Sequence, residues 1–325
     1  MTNSSLLIGD IGGTNARFAL ASHDSPNYAN ELLLSCAEFE SAQSAIDHFL
    51  KKTGASTPKI LCLAAAGPVV AQKVRFTNNR WSLDAGDLAA TFAGSSVRLL
   101  NDFEAIAYSI PYLGAANCVP IGLPESGPLP ADNYTVGIIG PGTGLGAVGL
   151  KRVDNVDLPI AGEAGHIGFA PATQVQLEIL TVLHERFDRV SSERLVCGPG
   201  LENLYWALGR VHGADWPQLS AEKIFAAAAG NTDSRASEAV QLFFEILGQV
   251  AGDFALTIGA GDGIFIAGGM MPRYPDMFAT SRFRSGFENK GRYRSLMETI
   301  PTRLILHKQP GLLGAAAVAQ RMAQQ

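Results

Sequence analysis

One local plan occurs twice in this chain, and the repetition narrows the possible folds more than any other feature. Leu6 to Leu20 reads LLIGDIGGTNARFAL, and Tyr134 to Leu150 reads YTVGIIGPGTGLGAVGL. Each is an apolar run, a glycine turn containing Gly-Thr, and a second apolar run, with Gly13-Thr14 matching Gly142-Thr143. A single Gly12-Gly13 turn between strands means only a tight hairpin. Two copies, one in each of two expected domains, predict a duplicated fold that closes on one ligand. Successive main-chain N–H groups in such turns form a concave site for anions, and glycine keeps Cβ atoms out of the way. Thr14 and Thr143 add hydroxyl donors. The 35 glycines among 325 residues, above the usual share of about 7%, fit several such turns.

Between the hairpins, strand and helix patterns alternate, which implies α/β layers. NELLLSCAEF reads as a strand, and SAQSAIDHFLKKTG as a helix ended by Gly54 with Lys51 and Lys52 in its last turn. KILCLAAAGPVV is a buried strand, SLDAGDLAATFAG a short helix, SVRLLND a strand and DFEAIAYSIPYL a helix. The Gly- and Pro-rich stretch Gly122 to Asn133 reads as a boundary loop. After the second hairpin come helices, the longest near Ser234 to Ile258, where Gly248 and Gly252 would let another helix pack closely. GIFIAGGMMP is a buried strand ending in Gly268-Gly269, and the chain finishes with a strand, a Pro-Gly turn and an Ala-rich helix. Length suggests about two domains. Residues 1–110 plus 310–325 are expected to form a small domain, and residues 111–309 a large one.

The chain is 47% apolar and 17% charged, with a net charge of −5 and no basic run. That excludes a nucleic-acid or membrane-surface partner on electrostatic grounds. The N-terminus lacks a signal-peptide pattern, and no window has 18 uninterrupted apolar residues. Cys36, Cys62, Cys118 and Cys197 are scattered without C-x-x-C spacing, as expected of buried reduced thiols. A cytoplasmic setting follows as an expectation. The turns match neither a Walker A loop nor a G-x-G-x-x-G that leads into a helix.

Several side chains invite two readings. Asn101 and Asp102 lie where a strand enters a helix; they reach a ligand cleft or merely cap the helix. Glu163 and His166 lie in the glycine-rich AGEAGHIGF, as ligands or as a structural hydrogen-bonded pair, with too few neighbours for a metal centre. Glu193 in SSERLV is a ligand or an exposed acid near a helix start. Asp10 either stabilises its turn or serves a cation. His23, His48, His184, His212 and His307 have no such company.

The two hairpins resemble the paired phosphate loops of the actin/hexokinase/Hsp70 ATPase superfamily, and Gly268-Gly269 resembles its adenosine loop. GDIGGTNARFAL, NDFEAIAYSIP, GPGTGLG, AGEAGHIGFAP, SSERLVCGPGL, FIAGGMMPR, FENKGR and PGLLGAAA together resemble, in order along the whole chain, bacterial glucokinases of the non-ROK type. The cysteine-rich zinc motif of ROK sugar kinases is absent. The resemblance implies a duplicated actin-like (ribonuclease H-like) α/β fold, two domains flanking a cleft, and a homodimer. It implies ATP-dependent phosphorylation of D-glucose at its 6-hydroxyl, a kinase for another hexose being the alternative.

By the same resemblance Asp102 is the general base, and Asn101, Asp102, Glu163, His166 and Glu193 hold sugar hydroxyls. The family segment usually reads Gly-Glu-Gly-Gly-His, so Ala164 departs from it and puts the sugar fit in question. Gly9, Asp10, Ile11, Gly12, Gly13 and Thr14 on one turn, with Gly140, Gly142, Thr143 and Gly144 on the other, would surround the ATP phosphates. Gly268 and Gly269 would serve the adenosine, and Asp10 would hold Mg²⁺ through water. No lysine stands near the turns, so Mg²⁺ and backbone N–H groups are expected to stabilise the transferring charge. A regulator on the same fold would need an added binding domain, which is not expected upstream of Gly9 or after Gly314.

Overall fold

The computed structural model describes residues 6–76, 79–92, 94–124 and 127–325. Two compact units divide it, residues 1–113 with 307–325 and residues 114–306. In chain order the elements are β1 (Leu6–Ile11), β2 (Asn15–Ala21), β3 (Tyr28–Ser35), α1 (Ala42–Thr53), β4 (Ile60–Ala65), β5 (Lys73–Arg75), β6 (Ser82–Asp84), α2 (Ala85–Thr91), β7 (Ser96–Asn101) and α3 (Asp102–Ser109). The second unit carries β8 (Cys118–Pro120), β9 (Tyr134–Pro141), β10 (Leu145–Val153), β11 (Val156–Gly162), α4 (Gln174–Leu183), α5 (Gly198–Val211), α6 (Ala221–Ala229) and α7 (Ser234–Ile258). It ends with β12 (Gly263–Ile266), α8 (Pro275–Ala279), α9 (Phe283–Glu288), α10 (Arg294–Thr299) and β13 (Thr302–Ile305). The last helix, α11 (Pro310–Ala323), belongs to the first unit.

The first unit is built on a sheet in the order β3-β2-β1-β4-β7. Its first strands pair antiparallel, and β1, β4 and β7 run parallel. Alternate residues of one strand point to opposite faces. Leu7, Ile11, Phe18 and Leu61 therefore meet Ile46 and Phe49 of α1, whereas Leu6, Ile8 and Cys62 meet Leu312, Ala315 and Ala319 of α11. Helix α1 follows its sequence signals: Ser41 caps it, Gly54 ends it in a left-handed conformation, and Lys51 and Lys52 close the last turn. Helix α11 also packs on α3. Their approach is so close that a Cβ on Gly314 would lie 1.7 Å from the Ala105 carbonyl oxygen.

The second unit has a sheet in the order β11-β10-β9-β12-β13-β8. The second hairpin is β9–β10, and β9, β12 and β13 run parallel. Helix α7 is long and apolar enough to cross a membrane, yet 67% of its most apolar window is buried, as befits a core helix. Its Gly248 and Gly252 do admit a second helix, and that helix is α9. A Cβ at Gly248 would stand 1.9 Å from the Phe283 carbonyl oxygen, and one at Gly252 would stand 2.6 Å from that of Phe287.

Some local expectations need correction. The Gly122 to Asn133 stretch is no boundary: it joins β8 to β9 inside the second unit, where β8 pairs with β13. Its Glu125 and Ser126 lie outside the described residues. A third strand, β11, follows the second hairpin before any α-helix. Within SLDAGDLAATFAG only Ala85–Thr91 is helical; Ser82–Asp84 is a strand paired with β5, and Ala93 is not among the described residues.

Replacing Gly314 by Ala should force α11 away from α3 and cost on the order of 1–3 kcal/mol. Calorimetry should then find a melting temperature roughly 2–5 °C lower. An unchanged melting temperature would contradict this helix contact.

Candidate functional site

In the first unit the β1–β2 register puts Asp10 directly opposite Arg17, and the turn closes through the Gly12 N–H donating to the Asn15 carbonyl at 2.9 Å. The turn is tethered from outside the hairpin. The Asn79 side-chain amide donates to the Gly12 carbonyl at 3.3 Å, and the Cys36 N–H donates to the Thr14 carbonyl at 2.8 Å. Beside the turn lies an open pocket of about 310 Å³ lined by Asp10, Gly12, Thr14, Asn15, Arg17, Leu33 and Gln309. Gly9 and Ile11 are buried in β1; a Cβ on Gly9 would strike Leu63 and Phe18 at 2.9 Å, so both positions serve packing. Arg17, Asn15 and Gln309 escaped the sequence reading. Arg17 could have been found from the strand register, because a cation two residues past the turn must face Asp10.

Asp10 is the electrostatically unusual group. Burial, reinforced by the negative charge of Asp102, pushes its carboxyl up to about 6 against the opposing pull of Arg17. A single carboxylate with excess negative charge around it fits a water-mediated Mg²⁺, which commonly uses one or two carboxylates plus substrate phosphates. Among the described residues no cluster of three or more His, Cys, Asp or Glu forms a protein-only metal cage.

Asn101 and Asp102 both take part in the start of α3. Asn101 is the cap: its side-chain oxygen accepts the Phe103 and Glu104 N–H groups at 3.0 and 3.4 Å. Glu104 returns a bond to the Asn101 N–H at 3.3 Å, closing a capping box. The Asn101 amide also donates to the Gly67 carbonyl at 3.0 Å. Asp102 is the first residue of α3, partly exposed at the end of parallel strand β7, with Oδ1 accepting the Phe103 N–H at 2.9 Å.

In the second unit the β9–β10 turn is the point where several elements converge. The Gly142 N–H donates to the Gly144 carbonyl at 2.8 Å, and the Gly198 N–H at the start of α5 donates to the Gly142 carbonyl at 2.8 Å. Gly140 is buried within β9, and Thr143 is exposed at the tip. Glu193 Oε2 accepts the Leu145 N–H at 2.8 Å, while its Oε1 stands 3.9 Å from His166 Nδ1. Gly268, at φ 93°, passes so near the turn that a Cβ would fall 2.5 Å from the Pro141 carbonyl oxygen; Gly269 has open space around it.

Glu163 and His166 bracket a short 3₁₀ turn and are both exposed. The Arg189 guanidinium, another residue the sequence reading missed, donates to the His166 carbonyl at 2.8 Å. The glycine that this loop requires is Gly165, where a Cβ would lie 2.1 Å from the Leu145 carbonyl oxygen. Ala164 packs its methyl against the core instead. The departure from the family pattern therefore falls at a position with room for it.

A family model described as Glucokinase matches residues 7–322. The chain belongs to the glucokinase family. It is 40% identical over 310 residues to the glucokinase of Marinobacter nauticus, covering 95% of each chain. It superimposes on the crystal structure of a glucokinase from an Antarctic psychrotroph with a TM-score of 0.88 and 33% identity, over 98% of this chain and 99% of that one. The fold, though at only 19% identity and a TM-score of 0.65, is also that of a ROK family glucokinase from Streptomyces griseus solved with glucose and AMPPNP, over 98% of this chain and 100% of that one. The expected two-domain α/β fold, the enzyme class and the glucokinase assignment are thereby borne out.

The raised carboxyl of Asp10 fixes the sign of a pH effect. Stability is greatest where Asp10 is protonated in both states and is lost as pH rises from about 4 through about 6. Asp10→Asn removes the buried charge, so above pH 7 it should stabilise the fold by on the order of 2 kcal/mol. Urea unfolding should show that gain shrinking toward zero as pH falls to about 4. A gain that stays constant with pH would contradict the burial of this charge.

Proposed function

We propose that this member of the glucokinase family moves the γ-phosphoryl group of ATP to the 6-hydroxyl of D-glucose, with Asp102 as general base. The observation that carries the reading is the place of Asp102 at the start of α3. Asn101 and Glu104 close the capping box, so α3 starts on a cap of its own even though Asp102 Oδ1 also accepts the Phe103 N–H at 2.9 Å. Its carboxylate stands at the end of a parallel strand, near enough to Asp10 to raise the Asp10 pKa.

In this reading the 6-hydroxyl of glucose donates its proton to the Asp102 carboxylate while the oxygen forms its bond to the γ-phosphorus. The bond from that phosphorus to the bridging oxygen breaks, and ADP leaves. Glu163, His166 and Glu193 would receive the other sugar hydroxyls, and Asn101 would offer its amide nitrogen. A sugar lacking one of those hydroxyls would strand a polar group, which is the physical source of discrimination. The turns at Gly12–Thr14 and Gly142–Gly144 would present backbone N–H groups to the phosphates, with Gly268-Gly269 toward the adenosine. Arg17, ion-paired with Glu31, is the cation beside the first turn, where no lysine stands. Mg²⁺ bound with ATP would neutralise phosphate charge, and Asp10 is the residue that would hold it through water. A homodimer and a cytoplasmic setting complete the reading on family resemblance.

Asp102→Asn keeps the side-chain size and loses the proton acceptor. Turnover should fall by roughly 10²- to 10⁴-fold, with glucose affinity changing far less. Steady-state kinetics and glucose titration check this together. Near-normal turnover with a lowered melting temperature would return Asp102 to a purely structural role.

A further inference from the structure

Glu193 has one oxygen on each of two tasks. Oε1 faces His166 among the candidate sugar ligands, whereas Oε2 accepts the Leu145 N–H, the first donor after the second glycine turn. The carboxylate occupies space that only glycine leaves empty: a Cβ on Gly144 would lie 2.5 Å from Oε2. The backbone of Glu193 is equally constrained. Its carbonyl accepts the Cys197 thiol at 3.0 Å and sits 2.9 Å from where a Cβ on Gly200 would be. Through Gly198 the same segment donates to the Gly142 carbonyl on the other side of the turn.

Gly142 and Gly144 flank Thr143, so the turn has little side-chain restraint of its own, and glycine loses the most backbone freedom on ordering. We propose that Glu193 is a positioning residue for the nucleotide as well as a sugar ligand. By fixing the Leu145 N–H it holds the Gly142–Gly144 turn in its phosphate-receiving shape and couples nucleotide binding to sugar binding. This inference rests on the reading of that turn as a phosphate site. Because the bond from Glu193 to the Leu145 N–H exists without sugar, a change at Glu193 must appear in nucleotide affinity even with no sugar present.

The full chain is titrated calorimetrically with AMPPNP–Mg²⁺ in the absence of sugar, and separately with glucose. Glu193→Gln retains an acceptor for the Leu145 N–H but not the charge. It should bind nucleotide within about twofold of wild type, or more tightly, while glucose affinity falls about tenfold or more. Glu193→Ala removes the acceptor and should weaken nucleotide binding about tenfold with no sugar present. Hydrogen exchange guards against a general folding defect. The amides of residues 142–145 should lose protection in Glu193→Ala and keep it in Glu193→Gln, with the rest of the chain unchanged. Nucleotide affinity in Glu193→Ala equal to or tighter than wild type would overturn the positioning role and leave the phosphate reading standing. A wild-type chain that binds glucose but not AMPPNP–Mg²⁺ would overturn the phosphate reading itself, and the coupling with it.

Discussion

A backbone N–H and a carboxylate, Leu145 and Glu193, meet at 2.8 Å in a gap that a single methyl group on Gly144 would close. Around that contact the second unit is assembled by approaches that exclude Cβ atoms. Gly165 meets the Leu145 carbonyl and Gly268 the Pro141 carbonyl in this way, while the Gly198 N–H donates to the Gly142 carbonyl. Segments far apart in the chain thus reach one turn of a few residues. The candidate sugar loop, the start of α5 and the glycine pair after β12 are each positioned by backbone rather than by flexible side chains. Such contacts give little room for adjustment, because protein interiors are packed too densely to absorb a misplaced atom.

The first unit solves a different problem, the management of negative charge. Asp10 and Asp102 come from separate elements and act on each other electrostatically, with Arg17 opposing them across the β1–β2 register. Holding Asp10 in this surrounding costs stability at neutral pH. Strain of that kind is common where a protein is shaped for a ligand's charge rather than for its own stability. Asn101 and Glu104 form the capping box of α3, and Asp102 Oδ1 accepts the Phe103 N–H beside it.

Much of this was legible in the sequence because the relevant signals are local. Both hairpins announce themselves by Gly-Thr turns between apolar runs, and α1 by its Gly54 stop with two lysines before it. Strand β11 was not legible: it lies at a sheet edge, interrupted by Pro159, with Val156, Leu158 and Ile160 facing solvent. The alternation is inverted, with the aliphatics outside and Asp157 buried, and Pro159 within the run argues against a strand. The three-residue strands β5 and β6 are too short to show a period. At the site, residue types could be chosen from the motifs, but partners could not. That the Asn101 amide reaches the Gly67 carbonyl, that Arg189 holds the His166 carbonyl, and that Gln309 reaches the Asp10 pocket are all consequences of tertiary approach.

The central claim is a phosphoryl transfer to one particular oxygen, and the position of the new bond tests it most directly. Purified chain is incubated with ATP–Mg²⁺ and uniformly ¹³C-labelled glucose, and the product is read by ³¹P and ¹³C NMR. The account predicts glucose 6-phosphate as the product in step with ADP, with phosphorus coupling confined to C6 and its neighbour C5, and no ADP formed when 6-deoxyglucose replaces glucose. Phosphate on another hydroxyl, or ATP consumption that does not depend on a 6-hydroxyl, would contradict it.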